Sequence, residues 1–503
     1  MQVSDFCSSK KKKNSNNLKI IEKISGRFHK RAGTYTSKVK ENIKKLDKEL
    51  TIIEIAHQPN FLPHAGVLRK AVLSDYLLDQ DTVSLFGFVD NDLSTSPWIS
   101  QNRIPAMAKK GYKKIGFKLS GKEKWMVWGT IEKPSDEEWK AQINDIIKFY
   151  SKYSARESNL NLFEELMRES YNKGGSFSDV NAIFISLLCN KLWDLGTLFF
   201  LYSDLHRKKL FIDESKRVIS NTEEYIKAYN DAIPKFNVNA KQIEKNFFPF
   251  WYKCDCNGKT SLIITSYEPL ICEGTCVVCN KKHKLLLGTL DNPEIEKHYE
   301  KMSMKAVTRN LVFSEGLGTD IYVAGTGGGL EYGKMSNQVA GKLGISIPHT
   351  LVWKNKDDYP SIPLLYQGKS IKKILNGLEV KEKKSEINLK LKKLRKKIEK
   401  LRKIKRDLGK KYGETRSEDV MYEIKSTSKE EKKLIKKIQQ YENNFNKIEI
   451  FETGLKVIPS ILDLGISLGW EKLVDVWRES LNDGNLIIKD EFTILETYTY
   501  FQL

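Results

Sequence analysis

Two histidines, His57 and His64, flank a turn stiffened by Pro59 and Pro63, just after the apolar run IIEIA. Imidazoles beside a helix start suit the stabilisation of charge on a phosphate in transfer, and backbone donors at the helix N-terminus would add to it. The plainer alternative is a strand-end histidine satisfied by backbone, with His64 merely exposed. Far along the chain a second apolar run, IYVA, ends in Gly325-Thr326-Gly327-Gly328-Gly329, with Glu331 and Tyr332 behind it. Glycines let a backbone approach a phosphate or sugar closely, because no Cβ intervenes. Glu331 would face the same crevice, or would only complement a helix dipole. Gln58 and Asn60, inside the histidine turn, join Tyr332 as expected nucleotide contacts. A strand that stops at polar and flexible residues is how open α/β sheets present chemistry, since ligands bind beyond the carboxyl ends of strands.

Asp90-Asn91-Asp92 close a third apolar run, VSLFGFV. Two carboxylates there could hold a substrate ammonium or a magnesium ion; Asp and Asn are equally ordinary turn residues. The most specific local pattern is Cys254-x-Cys256, nineteen residues, then Cys276-x-x-Cys279. It approaches the spacing of a zinc ribbon, in which four thiolates surround one metal and leave no open position for catalysis. Cys272 or His283 could replace one member. Seven cysteines, five of them clustered, fit metal binding in a reducing compartment better than a disulfide framework, which makes cytoplasm the expected location.

The elements that must position these residues follow from periodicity. Residues 52–57 and 83–89 read as strands around a helix at 66–79, the rhythm of a parallel sheet. A third strand is expected at 320–324, then a helix near 331–343 and a short strand at 345–353. The segment order is a basic N-terminal arm and helix (1–50), the first half of an α/β core (51–133), a helical connecting region (134–250), a zinc-ribbon-like module (251–290), the second half of the core (291–376), a coiled coil (377–450) and a helical tail (451–503). Residues 1–17 read as a disordered lead, and a helix is expected around 291–304. Ile387, Leu391, Leu394, Ile398 and Leu401 alternate four- and three-residue spacing, and Leu434, Ile438, Tyr441, Phe445 and Ile448 repeat it. With a polar, turn-rich interval at 407–429, this predicts an antiparallel hairpin or one arm of an intermolecular coiled coil, hence a candidate homodimer. The tail, with Trp470 and Trp477, should pack back on the sheet.

The 503 residues carry 85 Lys and Arg against 64 Asp and Glu, so an anionic partner has to be considered. The excess concentrates in residues 10–48 and 381–411, where a lysine-rich face is most often a solvated surface. The most apolar window, 181–202, is broken by Asn190, Lys191 and Asp194, and reads as a buried helix; a membrane partner is not expected. The N-terminus lacks an apolar stretch with a small-residue cleavage site.

Together HQPNFLPHAG, GFVDND and the run from Lys305 to Met335 with GISIPH behind it resemble the bacillithiol-biosynthesis cysteine-adding ligase family. The resemblance covers residues 51–105 and 300–355. It implies a Rossmann-like core similar to class I nucleotidyltransferases, a connecting insertion and a C-terminal coiled coil. It further implies an ATP-dependent enzyme that joins an amino acid such as cysteine to an amino-sugar conjugate. On that reading His57, His64, Asp90, Asp92 and Glu331 are catalytic, and Met302-Ser303-Met304-Lys305 stands where synthetases carry a lysine loop. The chain departs from the family in lacking a histidine within Val89-Asp90-Asn91-Asp92 and in its cysteine module. The rival expectation is an RNA-binding or tRNA-modifying protein that uses the same core, the zinc ribbon and the basic arms.

Overall fold

The computed structural model describes residues 2–500 apart from 3, 4, 7–10, 49, 327, 360, 490 and 491. Its first strands are β1 (Thr51–His57), β2 (Thr82–Phe88), β3 (Gln101–Pro105), β4 (Tyr112–Gly116), β5 (Leu198–Leu201), β6 (Phe247–Lys253) and β7 (Lys259–Tyr267). β8 (Leu270–Thr275), β9 (Lys282–Leu286), β10 (Met302–Met304), β11 (Ile321–Ala324), β12 (His349–Asp358), β13 (Asn485–Lys489) and β14 (Phe492–Tyr500) follow. The chain divides into two compact units. One comprises Met1–Asn102, Ile115–Tyr359 and Pro459–Leu503; the other comprises Arg103–Lys114 and Pro360–Ile458.

The first unit is mixed α/β and is built on a seven-stranded sheet of order β13-β14-β12-β11-β1-β2-β5. Every neighbouring pair is parallel except β13 with β14. The chain lays β2 and β5 to one side of β1, then returns to add β11, β12 and β14 on the other. Its direction of growth therefore reverses between β1 and β11. Ile52, Ile53 and Ile55 of β1 are all fully buried, which a strand needs when both sheet faces are covered. Ile52, Val83, Leu85, Leu198 and Phe200 share one core with Leu18, Ile21 and Ile24 of the first helix, Ser15–Ala32. That helix is capped by the Asn14 side chain and ends at Gly33, whose φ of 73 suits the left-handed closing residue. Helix Ala65–Tyr76 packs against β1, β2, β11 and β12.

A second sheet in this unit, β10-β6-β7-β8-β9, is antiparallel throughout and carries the cysteines. The second unit is dominated by helices Val380–Thr415 and Glu418–Leu455. Ion pairs Lys384–Glu452, Arg395–Glu442 and Lys405–Glu431 run in opposite chain directions, which makes the pair an antiparallel hairpin. Ile387, Leu391 and Ile448 form its buried seam within one chain.

Five expectations need correction. Residues 198–201 form a central-sheet strand inside the region expected to be helical, because a four-residue apolar run takes its conformation from its neighbours. Residues 291–304 are not a helix: only a 3₁₀ turn at Tyr299–Lys301 precedes β10, which pairs with β6. The interval 407–429 is helical on both sides of a break at Arg416 and Ser417, where Arg416 has φ 50. The tail holds β13 and β14 as well as helices Ile461–Leu468 and Trp470–Asn482, and these strands extend the sheet. Of the lead at 1–17, residues 11–14 are ordered against the core: Lys11 N and Lys13 Nζ both donate to Asp320, and part of that lead lies outside the described residues. No helix among the described residues is long and apolar enough to cross a membrane.

Candidate functional site

β1 and β11 are adjacent and parallel, with Ile53 opposite Ile321. The histidine turn after His57 and the glycine bend after Ala324 therefore leave neighbouring strands at the same sheet edge. The histidine turn is held rigidly from behind. The carbonyl of Gln58 accepts from His57 Nδ1 at 2.7 Å and from the Asn60 N–H at 2.9 Å. The carbonyl of Pro59 accepts from Trp128 Nε1 and Asn181 Nδ2, each at 3.1 Å, and that of Leu62 accepts from Asn102 Nδ2. Phe61 is fully buried among Phe117, Trp139 and Phe177. Such a supporting shell fixes a turn to the tolerance that chemistry requires.

The hydrogen bond to Gln58 also decides what His57 can do. Nδ1 must carry the proton, so in the neutral ring Nε2 is left as an acceptor or base. Burial, helped by the charges of Lys70 and His64, pushes the His57 pKa down to about 3. The ring is therefore neutral, with Nε2 free to act as a hydrogen-bond acceptor. His64 stands at the N-cap of helix Ala65–Tyr76 and bridges to Ser460.

Lys70 is the charged group whose field reaches His57. It is 6% exposed, and its ammonium donates to the Ala56 carbonyl at 3.3 Å. Among the described residues no carboxylate pairs with it, and burial pushes its pKa down to about 8. Sequence reading passed over Lys70; the available signal was a lysine followed directly by the apolar run AVL inside a helix expected to bury that face.

On the other strand, a Cβ built on Gly325 would meet nothing within 4 Å, so the bend is open to a ligand. Thr326 is exposed, Gly329 lies against Ala324, and Gly327 falls outside the described residues. Gly328 begins helix Gly328–Leu343, which places Glu331 in its first turn; Glu331 and Tyr332 are both exposed.

The two aspartates after β2 part company. Asp90 is buried, and its oxygens accept from Ser203 N at 2.8 Å and Ser203 Oγ at 2.5 Å, at the end of β5. Burial pushes its pKa up to about 6. Asp92 accepts from Lys259 Nζ at 2.9 Å, which together with Arg309 holds its carboxyl below the usual range despite burial. Among the described residues these carboxylates do not join a third acid or imidazole in a metal-holding cluster. Lys305 packs its ammonium on the rings of Phe247 and Trp251, at 4.0 and 5.2 Å.

Cys254, Cys256, Cys276 and Cys279 converge, with all four sulfurs within 4.8 Å of one another. Cys254 Sγ lies 3.5 Å from Cys279 Sγ, and Cys256 Sγ lies 3.6 Å from Cys276 Sγ. Four thiolates about 2.3 Å from one zinc ion stand roughly 3.8 Å apart, so the group fits that metal. Two turns bring them together, one between β6 and β7 and one between β8 and β9. Each uses an asparagine at positive φ, Asn257 at 64 and Asn280 at 59. A Cβ on Gly258 would come within 2.6 Å of Cys276 Sγ, so only glycine fits there. Cys272 is buried in β8 and His283 packs on Tyr252; neither belongs to the group.

A cleft of ≈ 590 Å³ opens beyond the carboxyl ends of β2 and β5. Asp90, Asn91, Ser203 and His206 line it, together with Arg27 and Arg31 of the first helix. Of the residues singled out from sequence, it brings in Asp90, Asn91, Met302 and Ser303 but neither histidine and none of the glycines of the bend after β11.

No family model matches the chain, and no curated protein is similar enough to match it.

Proposed function

We propose that the chain is an enzyme that joins small molecules at the carboxyl edge of a Rossmann-like sheet, as a nucleotide-dependent carbon–nitrogen ligase of the cysteine-adding type. One observation carries the reading. The sheet's growth reverses between β1 and β11, the two strands that end in the histidine turn and the glycine bend. In open α/β sheets ligands bind at such a reversal. The strand order β5-β2-β1-β11-β12-β14 has the connectivity of a dinucleotide-binding sheet, with β13 added as an antiparallel edge.

The residues fit an anionic nucleotide. Gly325 is open, and helix Gly328–Leu343 would turn its N-terminal donors toward the edge. Lys70 is a buried cation with no acidic partner among the described residues. A nucleoside triphosphate bound there would supply the activation of a carboxylate. The chain's own residues do the rest: Lys70 holds negative charge, and His57 Nε2 accepts a hydrogen bond from the attacking amine. Fixing both reactants in one crevice accelerates the reaction by proximity. The four-cysteine group serves structure, since four thiolates fill a zinc ion's coordination.

The test is a thermal-shift screen of nucleotides and amino acids, cysteine included, followed by nucleotide consumption with an amino sugar as acceptor. A nucleotide present at one hundred times its Kd should stabilise the fold by about 2.7 kcal/mol. His57→Ala should keep that shift and lose turnover. The absence of a shift with any nucleotide rejects the reading. RNA binding that weakens steeply between two salt concentrations would favour the rival one.

A further inference from the structure

We propose that the cleft beyond β2 and β5 is a second binding site, and that it takes a small phosphorylated molecule bearing hydroxyl or amino groups. Its ≈ 590 Å³ lies within the range of small-ligand pockets. The inference stands whether or not a nucleotide binds at the histidine and glycine edge, because none of His57, His64, Gly325 or Glu331 lines this cleft.

Cations outnumber acids in the lining by six to four, the acids being Asp90, Asp179, Asp204 and Glu300. Six cations reach it: Arg27, Arg31, Arg207, Lys208, Lys253 and Lys301. Three of them are engaged, Arg31 with Asp179, Arg207 with Asp204 and Lys301 with Asp255. Arg27, Lys208 and Lys253 have no acidic partner among the described residues. They come from three separate elements, the first helix, the turn after helix Tyr202–Arg207 and the end of β6. A basic stripe on one helix would be a solvated face, whereas cations converging on a concavity from three directions make an anion site. Guanidinium and ammonium donors give a phosphate its strongest hydrogen bonds.

The interior of the cleft is polar and incompletely satisfied, which points to the rest of the ligand. His206 is 4% exposed, and its Nδ1 is buried without a hydrogen-bond partner. Burial pushes its pKa down to about 4, so the ring is neutral and able to exchange one hydrogen bond with a hydroxyl or amine. Beside it, Ser203 gives Asp90 one hydrogen bond per carboxylate oxygen, leaving each oxygen able to accept another. Gly129 keeps that carboxylate accessible: a Cβ there would lie 2.8 Å from Asp90 Oδ2.

One wall depends on the cysteine group. Val127, in the lining, donates its N–H to Asn257 O at 2.9 Å, and Lys301 is held at 2.7 Å by Asp255. Both partners lie between Cys254 and Gly258, inside the knuckle the metal would close.

The test is a calorimetric titration of the full chain with glucose 6-phosphate, inorganic phosphate and glucose. Both phosphate-bearing probes should bind, the sugar phosphate more tightly, and glucose alone should not. The combined substitutions Arg27→Gln and Lys208→Gln lie on the surface and should lower affinity by about tenfold or more. Lys282→Gln, on β9 outside the cleft, should not change it. Failure of both phosphate probes to bind, or equal binding by the double variant, overturns the proposal. So does a double variant that loses affinity for an RNA oligonucleotide alone, which would mark the cations as a nucleic-acid surface.

Discussion

Ser203 aims both its donors, backbone N–H and hydroxyl, at the two oxygens of Asp90, tying the end of β5 to the end of β2. β2 and β5 are paired only from Leu85 to Phe88 against Leu198 to Leu201, so this contact continues their alignment past the last strand pair. Both residues line the cleft.

The pH dependence of stability should expose Asp90. Its folded pKa is raised to about 6, whereas an unfolded aspartate titrates near 3.9. Between those values the unfolded chain has released this proton and the folded chain has not. The native state therefore loses stability as pH rises from about 4 to about 6, by roughly 3 kcal/mol from this group. Against Asp90→Asn, which cannot titrate, denaturant midpoints of the wild type should fall across that window and run parallel above it. Parallel curves throughout would show that the carboxyl is ionised normally.

Lys70 should reveal a conflict between stability and binding. A buried ammonium with a pKa near 8, against about 10.4 when unfolded, costs the fold on the order of 3 kcal/mol at neutral pH. Lys70→Met keeps the stem length and removes the charge, so urea unfolding should show a more stable protein. The same variant should lose the thermal shift given by nucleotide. A destabilised Lys70→Met protein would mean that the ammonium has a partner worth more than its burial.

Removing the metal should loosen one sheet and spare the other. The β6–β9 sheet closes its two knuckles through four thiolates, and structural zinc contributes folding energy outright. Chelation, or Cys276→Ser, should raise hydrogen exchange at 254–259 and 276–281 and at Val127, with β1 and β2 unchanged. Thiol titration under native conditions should gain the four cluster cysteines after chelation. Unchanged exchange on complete metal loss would show that the knuckles close without it.

Much of this architecture was legible in the chain. The apolar runs at 52–56 and 83–89 and the helix between them show a parallel unit because periodicity and turn residues are local properties. The cysteine set was legible for the same reason: ligand spacing is written directly in sequence. The heptad spacing of Ile387, Leu391 and Ile448 showed a helical seam, although only the folded chain shows that it closes on itself. Four apolar residues at 198–201 carry no period long enough to separate strand from helix, so β5 stayed hidden. β13 and β14 were missed because their place at the sheet edge depends on β12.

The residue types, the order of the motifs and the metal-binding spacing were determined by sequence alone. Which groups share a site was decided by the tertiary structure, because charge and burial are properties of neighbours distant in the chain. The basic run at 10–48 reads as a solvated face, yet folding turns Arg27 and Arg31 into a cleft opposite Asp90. His57 reads as an imidazole at a strand end, and only Gln58, Lys70 and burial decide that its ring is neutral with Nδ1 protonated.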